Sequence, residues 1–180
     1  MYRKSGERKF FQCGGSIIND RYILTAAHCV KRLFQTLAAK DFVVKVGAHL
    51  LATSGQFVEI ESIISHENYM PNYHNDDIAL LKLKMPLDFK NTNLTPVCLP
   101  SFGTTDGQTS GQMMTLVGWG VHNQSDFIAS PSLYEVKIPV SNHDQCQTTY
   151  TELMGENKYF NWNNVVCASL ESGGKDTCQV

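Results

Sequence analysis

An all-β fold, of small barrels or a sandwich, is what the sequence predicts, and three observations predict it. Short runs alternate apolar and polar residues with a period of two. Turns rich in Gly, Asn and Ser separate those runs, and one segment departs from the strand pattern. In chain order, Phe42-Val-Val-Lys-Val-Gly47 and Phe57-Val-Glu-Ile-Glu-Ser-Ile-Ile64 are the first two clear strands. Leu133 to Val140 is the cleanest, with Tyr134, Val136, Ile138 and Val140 on one face and Glu135 and Lys137 on the other. Thr53-Ser-Gly55, Met70-Pro-Asn-Tyr-His-Asn75 and Gly103 to Gly111 read as turns. The exception comes after Val140: Ser141-Asn-His-Asp144 has capping-box form, a hydroxyl with a carboxylate three residues on. Cys146, Tyr150, Leu153 and Met154 then fall at helical spacing, which predicts a short helix from about Asn142 to Met154. The Pro-bearing stretch from Met85 to Phe102 reads as a linker between two halves, and no internal repeat interrupts the pattern.

Composition narrows the class. In 180 residues, 15 Lys and Arg face 17 Asp and Glu for a formal charge of −2, which argues against nucleic-acid binding. Hydrophobic residues at 42% against 18% charged are enough for a packed core. The longest apolar runs, such as Ile78-Ala-Leu-Leu, fall far short of the ~20 residues that span a bilayer, so no membrane helix is expected. Six cysteines point to an oxidising compartment, with 15 pairings open to them. No export signal accompanies them: Met1 to Lys9 is basic, but Gln12, Cys13, Gly14 and Gly15 cut short the apolar start made by Phe10-Phe11. Either the thiols are cytosolic or the true N-terminus lies upstream, and the basic stretch reads as a flexible end.

Three local patterns carry chemistry. Cys13-Gly-Gly-Ser-Ile-Ile with Leu24-Thr-Ala-Ala-His28-Cys29 sets small residues behind an imidazole, with a cysteine beside it that is able to tie back to Cys13. Asn75-Asp-Asp77-Ile-Ala-Leu-Leu places a carboxylate at the start of a buried strand, where it needs hydrogen-bond donors and an imidazole is a natural one. Asp76 is the rival, one residue further from that strand. Glu171-Ser-Gly-Gly-Lys-Asp176-Thr-Cys178-Gln179 holds a Gly-flanked Asp in a cysteine-bearing loop. The remaining histidines, His49, His66, His74, His122 and His143, have no metal-ligand spacing. Asn93-Leu-Thr95 and Asn123-Gln-Ser125 fit the glycosylation acceptor pattern.

These residues resemble trypsin-like serine endopeptidases of the chymotrypsin fold. Leu24-Thr-Ala-Ala-His28-Cys29 resembles the catalytic-histidine motif, Asp77-Ile-Ala-Leu-Leu the catalytic-aspartate strand, and Gly118-Trp119-Gly120 the marker at the start of the second barrel. Thr95-Pro-Val-Cys98-Leu-Pro resembles the interdomain segment, and Gly174-Lys-Asp176-Thr-Cys178-Gln179 the floor of the primary specificity pocket. The resemblance implies a secreted zymogen of double β-barrel fold with the helix near 142–154. It places one partial domain over 1–180: an N-terminal barrel over 10–95 lacking its first strand, an interdomain segment over 96–112, and an incomplete C-terminal barrel over 113–180. His28 and Asp77 are implied as catalytic and Asp176 as substrate-binding, selecting Arg or Lys before the cut. Protein and peptide substrates and protease inhibitors are the implied partners.

Pairing is implied as Cys13–Cys29 and Cys146–Cys167, which leaves Cys98 and Cys178 unpaired. No cofactor is implied: where some relatives bind calcium, in the loop that begins near Gly47, Ala48 and Gly55 stand in place of carboxylates. After Cys178-Gln179 the family pattern continues with Gly, Asp and the nucleophilic Ser, whereas this chain reads Val180 and stops. A family domain needs on the order of 220 to 250 residues. The expectation is therefore a fragment of a protease, inactive as it stands. A non-catalytic protease homologue, acting as a binding or regulatory module, is the alternative.

Overall fold

The computed structural model describes residues 1–32, 35–71, 75–104, 107–121, 128–154, 161–170 and 173. The chain packs as two compact units, Met1–Leu99 with Pro131–Leu133, and Pro100–Ser130 with Tyr134–Gln179. In the first unit the strands are β1 (Tyr2–Ser5), β2 (Arg8–Phe11), β3 (Ser16–Ile17), β4 (Tyr22–Thr25), β5 (Lys31–Arg32), β6 (Gln35–Thr36), β7 (Phe42–Val46), β8 (Gln56–Ser65) and β9 (Ala79–Leu83). All but β5 and β6 join one antiparallel sheet in the order β2-β1-β7-β8-β9-β4-β3.

That sheet curls because β8 serves two neighbours in turn. Its first residues pair with β7, from Val46↔Gln56 to Val43↔Glu59, and its later ones with β9, from Ile60↔Leu83 to Ser65↔Ala79. The register shifts between Ile60 and Ser62, and such a bulge bends a strand and increases its twist. The concave result is filled by the alternating apolar residues of β7 and β9 and by their neighbours. Phe42, Leu81, Leu83 and Val30 are the largest side chains with essentially no solvent contact.

The basic N-terminal stretch is not a flexible end. Tyr2–Ser5 and Arg8–Phe11 form a hairpin about Gly6 and Glu7, with Gly6 at φ 61°, and β1 continues into the sheet through Tyr2↔Val43 and Arg3↔Phe42. Buried Tyr2 is the anchor, meeting Phe11 and Phe57 edge to face with centroids 5.6 and 5.3 Å apart.

Between β7 and β8 the loop is organised by Ser54, whose Oγ accepts from the backbone N–H groups of His49 (2.7 Å) and Leu50 (2.8 Å). Gly55 closes it at φ 83°, where an added Cβ would stand 2.5 Å from Val46 O and 2.9 Å from Ala48 N. Both the left-handed conformation and the backbone contact demand glycine. Gly55→Ala is expected to lower stability by roughly 1 to 3 kcal/mol. An unchanged thermal midpoint would show that the turn re-forms without strain.

In the second unit β10 (Met113–Gly118) pairs antiparallel with β11 (Tyr134–Pro139) along six residue pairs. The face predicted for Leu133 to Val140 appears in graded form: Ile138 and Val140 are buried, while Tyr134 is half-exposed at 51%. Helix α1 (His143–Met154) comes next, but its cap differs from the expected one. Asn142 Oδ1 accepts from Gln145 N at 3.0 Å, whereas Ser141 Oγ is occupied with Ser169 Oγ at 2.7 Å. Ser141 is held there because residues 139–141 pair with 167–169, through Ser141 N to Cys167 O and Ser169 N to Pro139 O. The Cys146–Cys167 disulfide ties α1 to that same segment.

Candidate active site

Two strand ends assemble the site. β4 ends at Thr25, whose Oγ1 donates to Gly14 O at 2.8 Å. A Cβ on Gly15 would lie 2.9 Å from Ile23 Cγ2 and 3.0 Å from Leu24 O, so the glycine lets the Cys13 segment close against the strand. A single 3₁₀ turn, Ala27–Cys29, then carries His28. It is fixed on both sides, by fully buried Ala27 and by the Cys13–Cys29 disulfide. A cross-link over that loop length contributes about 3 kcal/mol.

In the segment that leads into β9, Asp76 takes φ 53°, a left-handed conformation that Asp tolerates better than most residues, and Ile78 N donates to Asp76 O at 2.8 Å. This kink turns the chain into β9. Thr25 and Ala79 are register partners in the β4–β9 ladder, so His28, just past one, meets Asp77, just before the other. Asp77 Oδ1 accepts from the backbone N–H of His28 at 2.8 Å, and Oδ2 lies 2.7 Å from His28 Nδ1. It is Asp77, not its neighbour Asp76, that faces the imidazole.

Both carboxylate oxygens are therefore satisfied by one residue, which offsets the cost of an anion whose side chain is only 22% exposed. Against an ionised carboxylate, which only accepts, a neutral imidazole in this geometry carries its proton on Nδ1 and its lone pair on Nε2. The His28 ring itself is half-exposed, and Nε2 lies 3.4 Å from Cys29 Sγ. Cys13, His28 and Cys29 bring three potential ligand atoms within 4.8 Å of one another. The two sulfurs are bonded to each other, however, so neither is a thiolate able to take up a metal.

Two further residues border the pair and escaped the sequence reading. Tyr69 is buried, and its pKa is raised by that burial and then by the negative charge of Asp77, which keeps the phenol protonated. Gln12 Nε2 donates to Cys29 O at 2.7 Å and joins the hairpin to the histidine turn. Neither stands in a motif, and each acts through a fold contact that no local pattern announces. Of the other predicted residues, Cys98 is exposed and in no disulfide, and Asn93 is exposed. Asp176, Cys178 and Asn123 lie outside the described residues.

A curled antiparallel sheet that sets an imidazole on a carboxylate across two strand ends is the arrangement of the chymotrypsin-fold class. A solved structure of that class, the scabies mite inactivated protease paralogue S-D1, resembles the chain with a TM-score of 0.77 and 25% identity over 89% of this chain and 64% of that one. The family model for trypsin matches residues 1–179, and the chain belongs to the trypsin family of serine proteases. It is 34% identical over 170 residues to the clotting factor G beta subunit of Tachypleus tridentatus, covering 94% of this chain and 54% of that protein. It is 32% identical over 179 residues to trypsin Blo t 3 of Blomia tropicalis, covering 99% of this chain and 64% of that protein. The chain thus spans between half and two thirds of the length of these relatives.

Proposed function

We propose that the chain is part of a secreted trypsin-like serine endopeptidase that cleaves peptide bonds after Arg or Lys. The observation that carries this reading is the two-point hold of Asp77 on His28, which leaves Nε2 to act as the base. Nε2 takes the proton of the serine nucleophile as its oxygen attacks the scissile carbonyl, and returns it to the departing amine. Asp77 keeps the proton on Nδ1 and stabilises the imidazolium between those two steps. Asp176, at the base of the specificity pocket, attracts the cationic side chain before the cut. The Cys13–Cys29 and Cys146–Cys167 disulfides support an oxidising, extracellular setting, and among the described residues no helix is long and apolar enough to cross a membrane.

These 180 residues hold the base and its orienting carboxylate, and the reading needs in addition the serine of the family's Gly-Asp-Ser segment. The test joins them to a segment that supplies that serine and offers Arg, Lys and Leu amide substrates. Cleavage after Arg and Lys, absent from the 180-residue chain, is the expected result, with kcat lower by about six orders of magnitude in His28→Ala. Cleavage that persists unchanged in that variant would remove His28 from the mechanism. A second reading, a non-catalytic homologue that binds without cutting, is favoured by the inactivated paralogue among the resembling structures. It predicts no cleavage even from the completed domain.

A further inference from the structure

We infer that reduction of the Cys13–Cys29 bond turns the histidine turn into a zinc site made of two thiolates and the His28 imidazole. The fold gathers one ligand atom from each of Cys13, His28 and Cys29 within 4.8 Å of the others. In a tetrahedral site with Zn–S of about 2.3 Å and Zn–N of about 2.0 Å, nitrogen and sulfur stand about 3.5 Å apart. His28 Nε2 and Cys29 Sγ already lie 3.4 Å apart. The Cα atoms of Cys13 and Cys29 are 6.2 Å apart, which leaves room for the freed sulfurs to reach the roughly 3.8 Å separation of such a site. Thiolates with an imidazole select zinc over hard cations such as calcium or magnesium.

Asp77 supplies what a histidine ligand needs behind it. A metal-bound imidazole commonly gives its other N–H to a carboxylate, which fixes the tautomer and the ring's direction. Here Nδ1 lies 2.7 Å from Asp77 Oδ2, while Nε2 lies beside the sulfur. Hydrogen bonds hold both cysteine segments without help from the disulfide: Gln12 Nε2 donates to Cys29 O at 2.7 Å, and Thr25 Oγ1 to Gly14 O at 2.8 Å. Cys29 is buried and Cys13 half-buried, whereas the His28 side chain is 49% exposed, so the metal enters from the ring's side and water takes the fourth position. The chemistry balances with a dithiol as reductant: it becomes a disulfide, Cys13 and Cys29 become thiols, and zinc displaces their two protons. Zinc on Nε2 occupies the lone pair that the proposed proton transfer uses, so on that reading the loaded site is switched off; the binding itself does not rest on it.

The test titrates zinc(II) into the intact 180-residue chain, oxidised or reduced with a phosphine, and needs no proteolysis as its readout. Zinc uptake at the site by the reduced chain and none by the oxidised one is expected, together with a higher thermal midpoint for the reduced chain when zinc is present. Asp77→Asn, which favours a proton on Nε2, is expected to weaken binding by about 10- to 100-fold, and His28→Ala and Cys13→Ser by at least as much. Cys98→Ser, at an exposed cysteine in no disulfide, is expected to change neither affinity nor midpoint. Should the reduced, metal-free chain unfold, zinc-driven recovery of the folded spectrum, lost in His28→Ala, is the result read instead. Uptake that is indifferent to His28→Ala, a midpoint that falls with zinc, or no recovery of the folded spectrum would each overturn the inference.

Discussion

Asp77→Asn, introduced into a form of the domain that carries its serine, is expected to lower kcat by about four orders of magnitude with little change in KM. The hydrogen-bond directions explain why so small a change is so costly. The backbone N–H of His28 points at one oxygen of residue 77 and requires an acceptor there. An asparagine meets that need only by keeping its carbonyl oxygen on that side, which turns its NH₂ toward Nδ1. Facing a donor, Nδ1 becomes the acceptor and the ring proton moves to Nε2, the nitrogen needed as base. The fold survives and the wrong tautomer is locked in. Steady-state kinetics with an Arg amide substrate would show it, and a variant retaining wild-type kcat would end the assignment of Asp77.

Leu81→Ala is expected to destabilise the first unit by about 3 kcal/mol, a large share of the 5 to 15 kcal/mol typical of a domain. Leu81 is fully buried at the middle of β9, paired with Ile23 of β4 on one side and Ile63 of β8 on the other. Truncation opens a cavity between the two ladders that hold the site's strands together. Leu153→Ala on α1, where the side chain is 78% exposed, serves as the comparison and should change stability by no more than about 0.5 kcal/mol. Urea unfolding of both variants checks the pair, and similar midpoints would mean that the core around β9 collapses to fill the space.

The strands were legible where one face is buried. Leu133 to Val140 announces itself because alternate residues leave water, whereas Phe42 to Val46 shows as an apolar run in which Val43 is buried along with Phe42, Val44 and Val46. The β1–β2 hairpin was not legible, since its inward residues, Tyr2 and Phe11, share their face with Lys4 and Lys9, and charge obscured the period. A signal was present in Gly6-Glu7, a two-residue turn equidistant from those aromatics. Asn142 displaced Ser141 as the helix cap for a reason no window of sequence contains, because Ser169 claims the hydroxyl. At the site, the resemblance singled out both His28 and Asp77. The second bond, from His28's own amide, depends on how the chain leaves β4 and lies beyond any motif.

The 49 residues that separate His28 from Asp77 have a temporal meaning as well as a spatial one. Nothing local brings the two together; they meet only once β4 has found β9, a pairing between distant parts of the chain that is slow to form because a long loop must first close. A nascent chain emerging before β9 therefore holds an imidazole with no carboxylate, and a partly folded one whose β4–β9 ladder is open holds an unoriented ring. Assembly of the reactive pair is in this sense a late folding event, timed by topology.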